Sequence, residues 1–97
     1  MNYIDDLAEL IRTSVPSGDL PNEDTHMLFR MYAILLLAKG DGVEPADVHN
    51  AWVAWMSDRQ PGHESLVPYE ALPAAAAAQD RPYVDAIRRV SRGGSSA

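Results

Sequence analysis

The chain has no cysteine in 97 residues, so it can form neither a disulfide framework nor a thiolate metal site. That fits a reducing compartment. Long apolar runs are missing too. The longest, "AILLLA" from Ala33 to Ala38, is far short of the roughly 20 residues that cross a bilayer. The N-terminus "MNYIDDLAEL" is acidic where a secretory leader would be basic, and no long apolar core follows. These absences predict a soluble, cytoplasmic protein with no membrane partner.

Positive charge is scarce as well: eight Lys and Arg face 14 Asp and Glu, for a net charge of −6. The deficit is confined to the first half. Through Val48 only Arg12, Arg30 and Lys39 oppose nine acidic side chains, whereas from His49 onward the two signs balance at five each. Binding a nucleic-acid backbone requires a concentrated basic face, which argues against duplex DNA or RNA as the partner. A small anionic ligand held by a few arginines is still compatible.

Several chemistries lack their residues. His26, His49 and His63 have no HExxH or other tight paired spacing, so no metal site is expected. There is no Gly-x-Ser-x-Gly elbow, phosphate-binding glycine loop or dinucleotide-binding glycine pattern. Asp5-Asp6 and Glu23-Asp24 stand at predicted helix starts, where the helix dipole accounts for them. The expectation is a protein without catalytic residues or cofactor.

What is present reads as one domain: 46% hydrophobic and 23% charged residues are close to globular averages. Apolar residues recur at helical spacing and no strand pattern competes. The first predicted helix covers about Tyr3 to Thr13, with Ile4, Leu7, Ala8, Leu10 and Ile11 on one face. The second runs from about Asn22, a plausible N-cap, to Ala38, with a stripe of Leu28, Met31, Tyr32, Leu35 and Leu36. The third begins at "EPADV", places Val48, Ala51, Trp52, Trp55 and Met56 on one side and ends near Gln60. Pro73 starts a short helical turn in the alanine run. Asp80 is read as the cap of a last helix, Arg81 to Ser91, whose inward face is Tyr83, Val84, Ile87 and Val90. The predicted fold is all-α, a compact bundle of about four helices spanning 1–91 with one long ordered, proline-containing connection, followed by an unstructured tail at 92–97. Leu66, Val67, Tyr69 and Leu72 are expected to be buried and to pin that connection.

The order "VHNAWVAWM … HESLVPYEALPAAAAAQDRPYVDAI" resembles the RyR domain, the repeat module of ryanodine receptors that also occurs in small bacterial and phage proteins. The shared features are His49 with Trp52 on a helix, then His63, Leu66-Val67-Pro68-Tyr69, Leu72-Pro73 and Asp80-Arg81. The chain departs from the pattern at Asn50, at Glu64 and in its short "SDRQPG" loop. The resemblance implies a non-enzymatic module that binds a nucleotide or nucleotide-derived signal, in a bacterial or phage setting, with a homodimer rebuilding the cleft of a tandem pair.

On that reading Trp52 and Trp55 are candidates to stack on a base. Arg59, Arg81 or His49 would meet phosphate or sugar, His63 would brace the site, and Tyr69 would add a hydroxyl and a ring edge. Each has a plainer alternative. Both tryptophans can be core. Either arginine can pair with Asp58, Glu64 or Asp80. His49 can bond a carboxylate or the "LVPY" backbone. The competing function is a protein–protein adaptor that docks a partner on the tryptophan-bearing face.

Overall fold

In the computed structural model, which describes residues 2–21 and 23–93, the periodic segments form helices α1 (Tyr3–Ser14), α2 (His26–Lys39), α3 (Pro45–Arg59), α4 (Ala74–Ala78) and α5 (Arg81–Ser91). Short 3-10 turns occur at Ser17–Asp19, Gly40–Gly42 and Tyr69–Ala71, and no strand occurs among the described residues. The fold is therefore the expected all-α bundle: four helices of eleven residues or more, with α4 a five-residue addition.

Local chemistry sets the helix ends. The Asn2 side chain accepts the Asp5 N–H at 3.1 Å, satisfying one of the free donors at the start of α1. α2 begins four residues later than the sequence suggested, at His26, whose N–H is accepted by the Asp24 carboxylate at 3.0 Å. Asn22, the expected cap, lies outside the described residues, as does most of the expected tail, Gly94–Ala97. In α3 Pro45 occupies the first turn, and Asp47 reaches back to accept the Glu44 N–H at 2.9 Å. Lys39 Nζ lies 2.9 Å from the same carboxylate, and this bond first, with the Glu44 amide, holds Asp47 below the ordinary carboxylate range.

The core is drawn from every long helix: Ala8 and Ile11 of α1, Leu28, Phe29, Tyr32 and Ala33 of α2, Val48, Trp55 and Met56 of α3, and Val84, Ala86 and Ile87 of α5. α2 packs against α1, α3 and α5 and is the central helix. Its buried face is rotated from the expected stripe. Phe29 and Ala33 are buried, whereas Met31, Leu35 and Leu36 are only partly covered. α2 is apolar on nearly all sides, so spacing alone cannot choose a face; the neighbouring helices do. Met27, Ile34 and Leu37 are left more than half exposed.

Side chains pin the irregular segments. Arg59 donates to the Asp24 carbonyl (2.9 Å), Tyr83 to the Asp19 carbonyl (2.7 Å) and Arg88 to the Val43 carbonyl (3.0 Å). These bonds satisfy loop carbonyls that no helix ladder reaches. The connection between α3 and α4 crosses α3, with Leu66, Val67, Tyr69 and Leu72 half-buried rather than fully buried.

Candidate functional site

Crossing that connection over α3 produces a cleft of about 600 Å³, bounded by Gly18 to Pro21, Glu23, α2, α3, the His63–Leu72 stretch and the start of α5. This is within the size range of small-molecule sites. Its walls combine aromatic, aliphatic and acidic side chains. Tyr32, Trp52, Trp55 and Tyr83 line it together with His49 and His63.

His49 sits at the centre of the arrangement. Its side chain is 3% exposed, and its ring stacks on Trp52 with centroids 5.6 Å apart and planes 21° apart. Nε2 lies 2.6 Å from the Val67 carbonyl oxygen. A carbonyl can only accept, so Nε2 carries a proton and donates. His49 thus ties α3 to the "LVPY" backbone, one of its two structural readings. Its other nitrogen, Nδ1, lies 3.9 Å from Asp80 Oδ2, too far for a direct hydrogen bond.

His63 closes the other side of Trp52, edge-on at 5.1 Å. Its Nδ1 accepts the Ser65 N–H at 3.0 Å. It braces the turn that starts the connection. Tyr69 packs edge-on against His49 at 6.1 Å, behind the cleft rather than in its lining.

The tryptophans separate. Trp55 is 5% exposed and belongs to the core while also reaching the cleft, whereas Trp52 is partly exposed between the two histidines. The Trp55 indole N–H is buried with no hydrogen-bond partner among the described residues. The Arg59 guanidinium lies over the Trp55 ring at 4.4 Å. Arg59 does not line the cleft, and Arg81 is outside it too, 3.5 Å from Asp85 beside a separate surface hollow. Arg59 meets Trp55, but neither of the two arginines expected to hold a phosphate lines the cleft.

Asp80 is the residue that sequence reasoning misplaced. It occupies the N-cap position of α5, but its side chain makes no capping bond and its backbone is already helical, φ −80° and ψ −17°. Its carboxylate turns toward His49 instead. The side chain is 14% exposed, and Oδ2 is buried with no hydrogen-bond partner among the described residues. Burial pushes its pKa up to about 6, with attraction to His49 acting in the opposite direction. Burial first, then the phenol of Tyr83 and the Asp80 carboxylate, hold the Tyr32 hydroxyl well above the usual phenol range. The aspartate before a proline-containing helix start was legible as a cap; no local signal shows that its side chain turns inward.

Two residues that line the cleft, Asp80 and Trp55, thus each carry a buried polar atom with no hydrogen-bond partner among the described residues. No Lys or Arg among the described residues lines it. An anionic phosphate placed there would meet the Asp19, Glu23 and Asp80 carboxylates without a compensating cation.

A family model described as a domain of unknown function (DUF7701) matches residues 2–92. No curated protein and no solved structure matches the chain significantly. These findings correct the resemblance to the RyR domain. The described residues form helices with no strand, at odds with the β-rich RyR trefoil fold, and the family whose model covers nearly the whole chain is a different one. The nucleotide-binding reading falls with the resemblance, and the absence of lining arginines gives the physical reason.

Proposed function

We propose that this chain, which belongs to the DUF7701 family, is a non-enzymatic cytoplasmic module that binds a small organic ligand in the aromatic cleft. The observation that carries this reading is the pair of buried, unpartnered polar atoms, Asp80 Oδ2 and Trp55 Nε1, in residues lining a cleft of ligand size. Buried polar groups are normally satisfied, and a ligand or water is one way in which an exception is completed. A binding role fits better than a catalytic one because the histidines are committed: His49 Nε2 to the Val67 carbonyl and His63 Nδ1 to the Ser65 amide.

The test is a thermal-shift and calorimetric titration of the folded protein against chemically diverse small molecules. Binders should raise the melting temperature, and Trp52→Ala should weaken them on the order of tenfold, through lost aromatic contact and area. A folded Trp52→Ala variant that binds as well as the parent would remove the cleft from the reading. If that variant unfolds, Trp52→Phe and His63→Ala serve in its place, with the same expectation of weakened binding.

The homodimer belongs to the same proposal and has its own surface. Met27, Ile34 and Leu37 share one exposed strip of α2, away from the cleft. A helix that is apolar all round is usually buried all round, and a strip on a single helix is self-complementary across a two-fold axis. That strip, rather than the tryptophan face, is where a second copy would pack.

A further inference from the structure

We propose that the cleft selects an organic ammonium ion, with its charge seated on Asp80 and its apolar body against Trp52. This inference rests on the small-ligand reading of the cleft and narrows it to one chemical class.

The Asp80 carboxylate provides the first argument. Its Oδ2 is buried and lacks a hydrogen-bond donor among the described residues. His49 does not supply one, because Nδ1 is 3.9 Å away and the Nε2 proton is given to Val67. The start of α5 does not either, since the side chain makes no capping bond. An N–H donor bearing positive charge would satisfy the missing bond and neutralise the buried charge together; hydrogen bonds to charged groups are the strong ones. A neutral ligand could do only the first, and an anion neither.

The sign of the surroundings provides the second. Asp19 and Glu23 lie at the rim of the same cleft, and no Lys or Arg among the described residues lines it. The half of the chain that supplies this rim also carries the whole net charge of −6. Clefts lined by charge of one sign raise the local concentration of the opposite ion. The third argument is the walls. The faces of Trp and Tyr rings carry negative potential and attract ammonium groups, most strongly when water is displaced. Trp52 and Tyr83, both partly exposed, supply such rings in the cleft lining, whereas Tyr32 is fully buried.

The experiment titrates the full chain by calorimetry with three ligands of one shape: phenethylammonium, 2-phenylethanol and phenylacetate. The ammonium should bind tighter than the alcohol by about tenfold or more, as a charged hydrogen bond requires, and phenylacetate should bind weakest. Asp80→Asn keeps the shape and removes the charge, and it should bring the ammonium and the alcohol to within about threefold of each other. Asp19→Asn and Glu23→Gln should weaken ammonium binding by less than Asp80→Asn does, because exposed charges contribute to the field of the cleft but are partly screened. If the alcohol or the carboxylate binds as tightly as the ammonium, the cation inference is overturned while the cleft reading stands. A preference that survives in Asp80→Asn overturns the assignment to Asp80. If none of the three binds, the inference is overturned, and the broader small-molecule titration decides the cleft reading separately.

Discussion

Asp80 shows how a single residue can oppose stability and serve binding. A carboxylate was turned away from an exposed helix cap and into a half-enclosed aromatic cleft, where burial raises its pKa to about 6. A carboxyl with a folded pKa above its unfolded value binds its proton more tightly in the folded state. Its contribution to stability is therefore complete below about pH 4 and is lost as the pH rises through about 6. The groups facing it are His49 from α3, Tyr32 from α2 and Tyr83 from its own helix, so the clean comparison is between the parent and Asp80→Asn. The variant should melt higher than the parent above pH 6 and differ least near pH 4. Equal melting temperatures at pH 7.5 would mean that the ionised carboxylate is satisfied by solvent in the free protein. A stabilising substitution that removes ligand preference is the expected signature of a binding residue.

Among the elements, the junction of α2 with the Gly40–Gly42 turn is the most demanding backbone position. Gly40 has φ 55° and ψ −129°, and a Cβ there would come within 3.2 Å of Ser91 Oγ on α5. This turn packs directly on α5, which carries Asp80 and Tyr83 into the cleft. Gly40→Ala should cost about 1–3 kcal/mol of stability, the usual penalty for holding a side-chain-bearing residue in such a region. Chemical denaturation reads that directly; an unchanged midpoint would show that the turn relaxes. The proline-containing connection depends on a different device. It lacks a helix ladder and keeps its course through the His49–Val67 bond and partial burial.

For the whole molecule, the two surfaces use different sides of α2: Leu28 and Tyr32 of its buried side reach the cleft, and Met27, Ile34 and Leu37 form the exposed apolar strip. Association through α2 should therefore leave ligand binding intact. Sedimentation over a range of concentrations should show a monomer–dimer equilibrium that Ile34→Lys shifts to monomer without altering the melting curve of the monomer. A monomer at every concentration would remove the dimer. No helix among the described residues is long and apolar enough to cross a membrane.

The sequence by itself determined the helical class and most of the element positions. Spacing, Pro45, Pro73 and the apolar pattern act within a turn or two of the chain, and α1, α3 and α5 begin where these signals place them. It also contained the alternative that His49, on the third helix, bonds a carboxylate or the "LVPY" backbone. Only the tertiary structure decided which face of the all-apolar α2 is buried, that Trp55 is core while Trp52 walls a cleft, and that Arg59 and Arg81 stay outside it. It alone turned Asp80 from a cap into a buried carboxylate. These are outcomes of contacts between residues far apart in the chain, such as His49 with Val67, 18 positions away, or Tyr83 with Asp19, 64 positions away. No local propensity encodes the direction in which a side chain turns once its helix has docked.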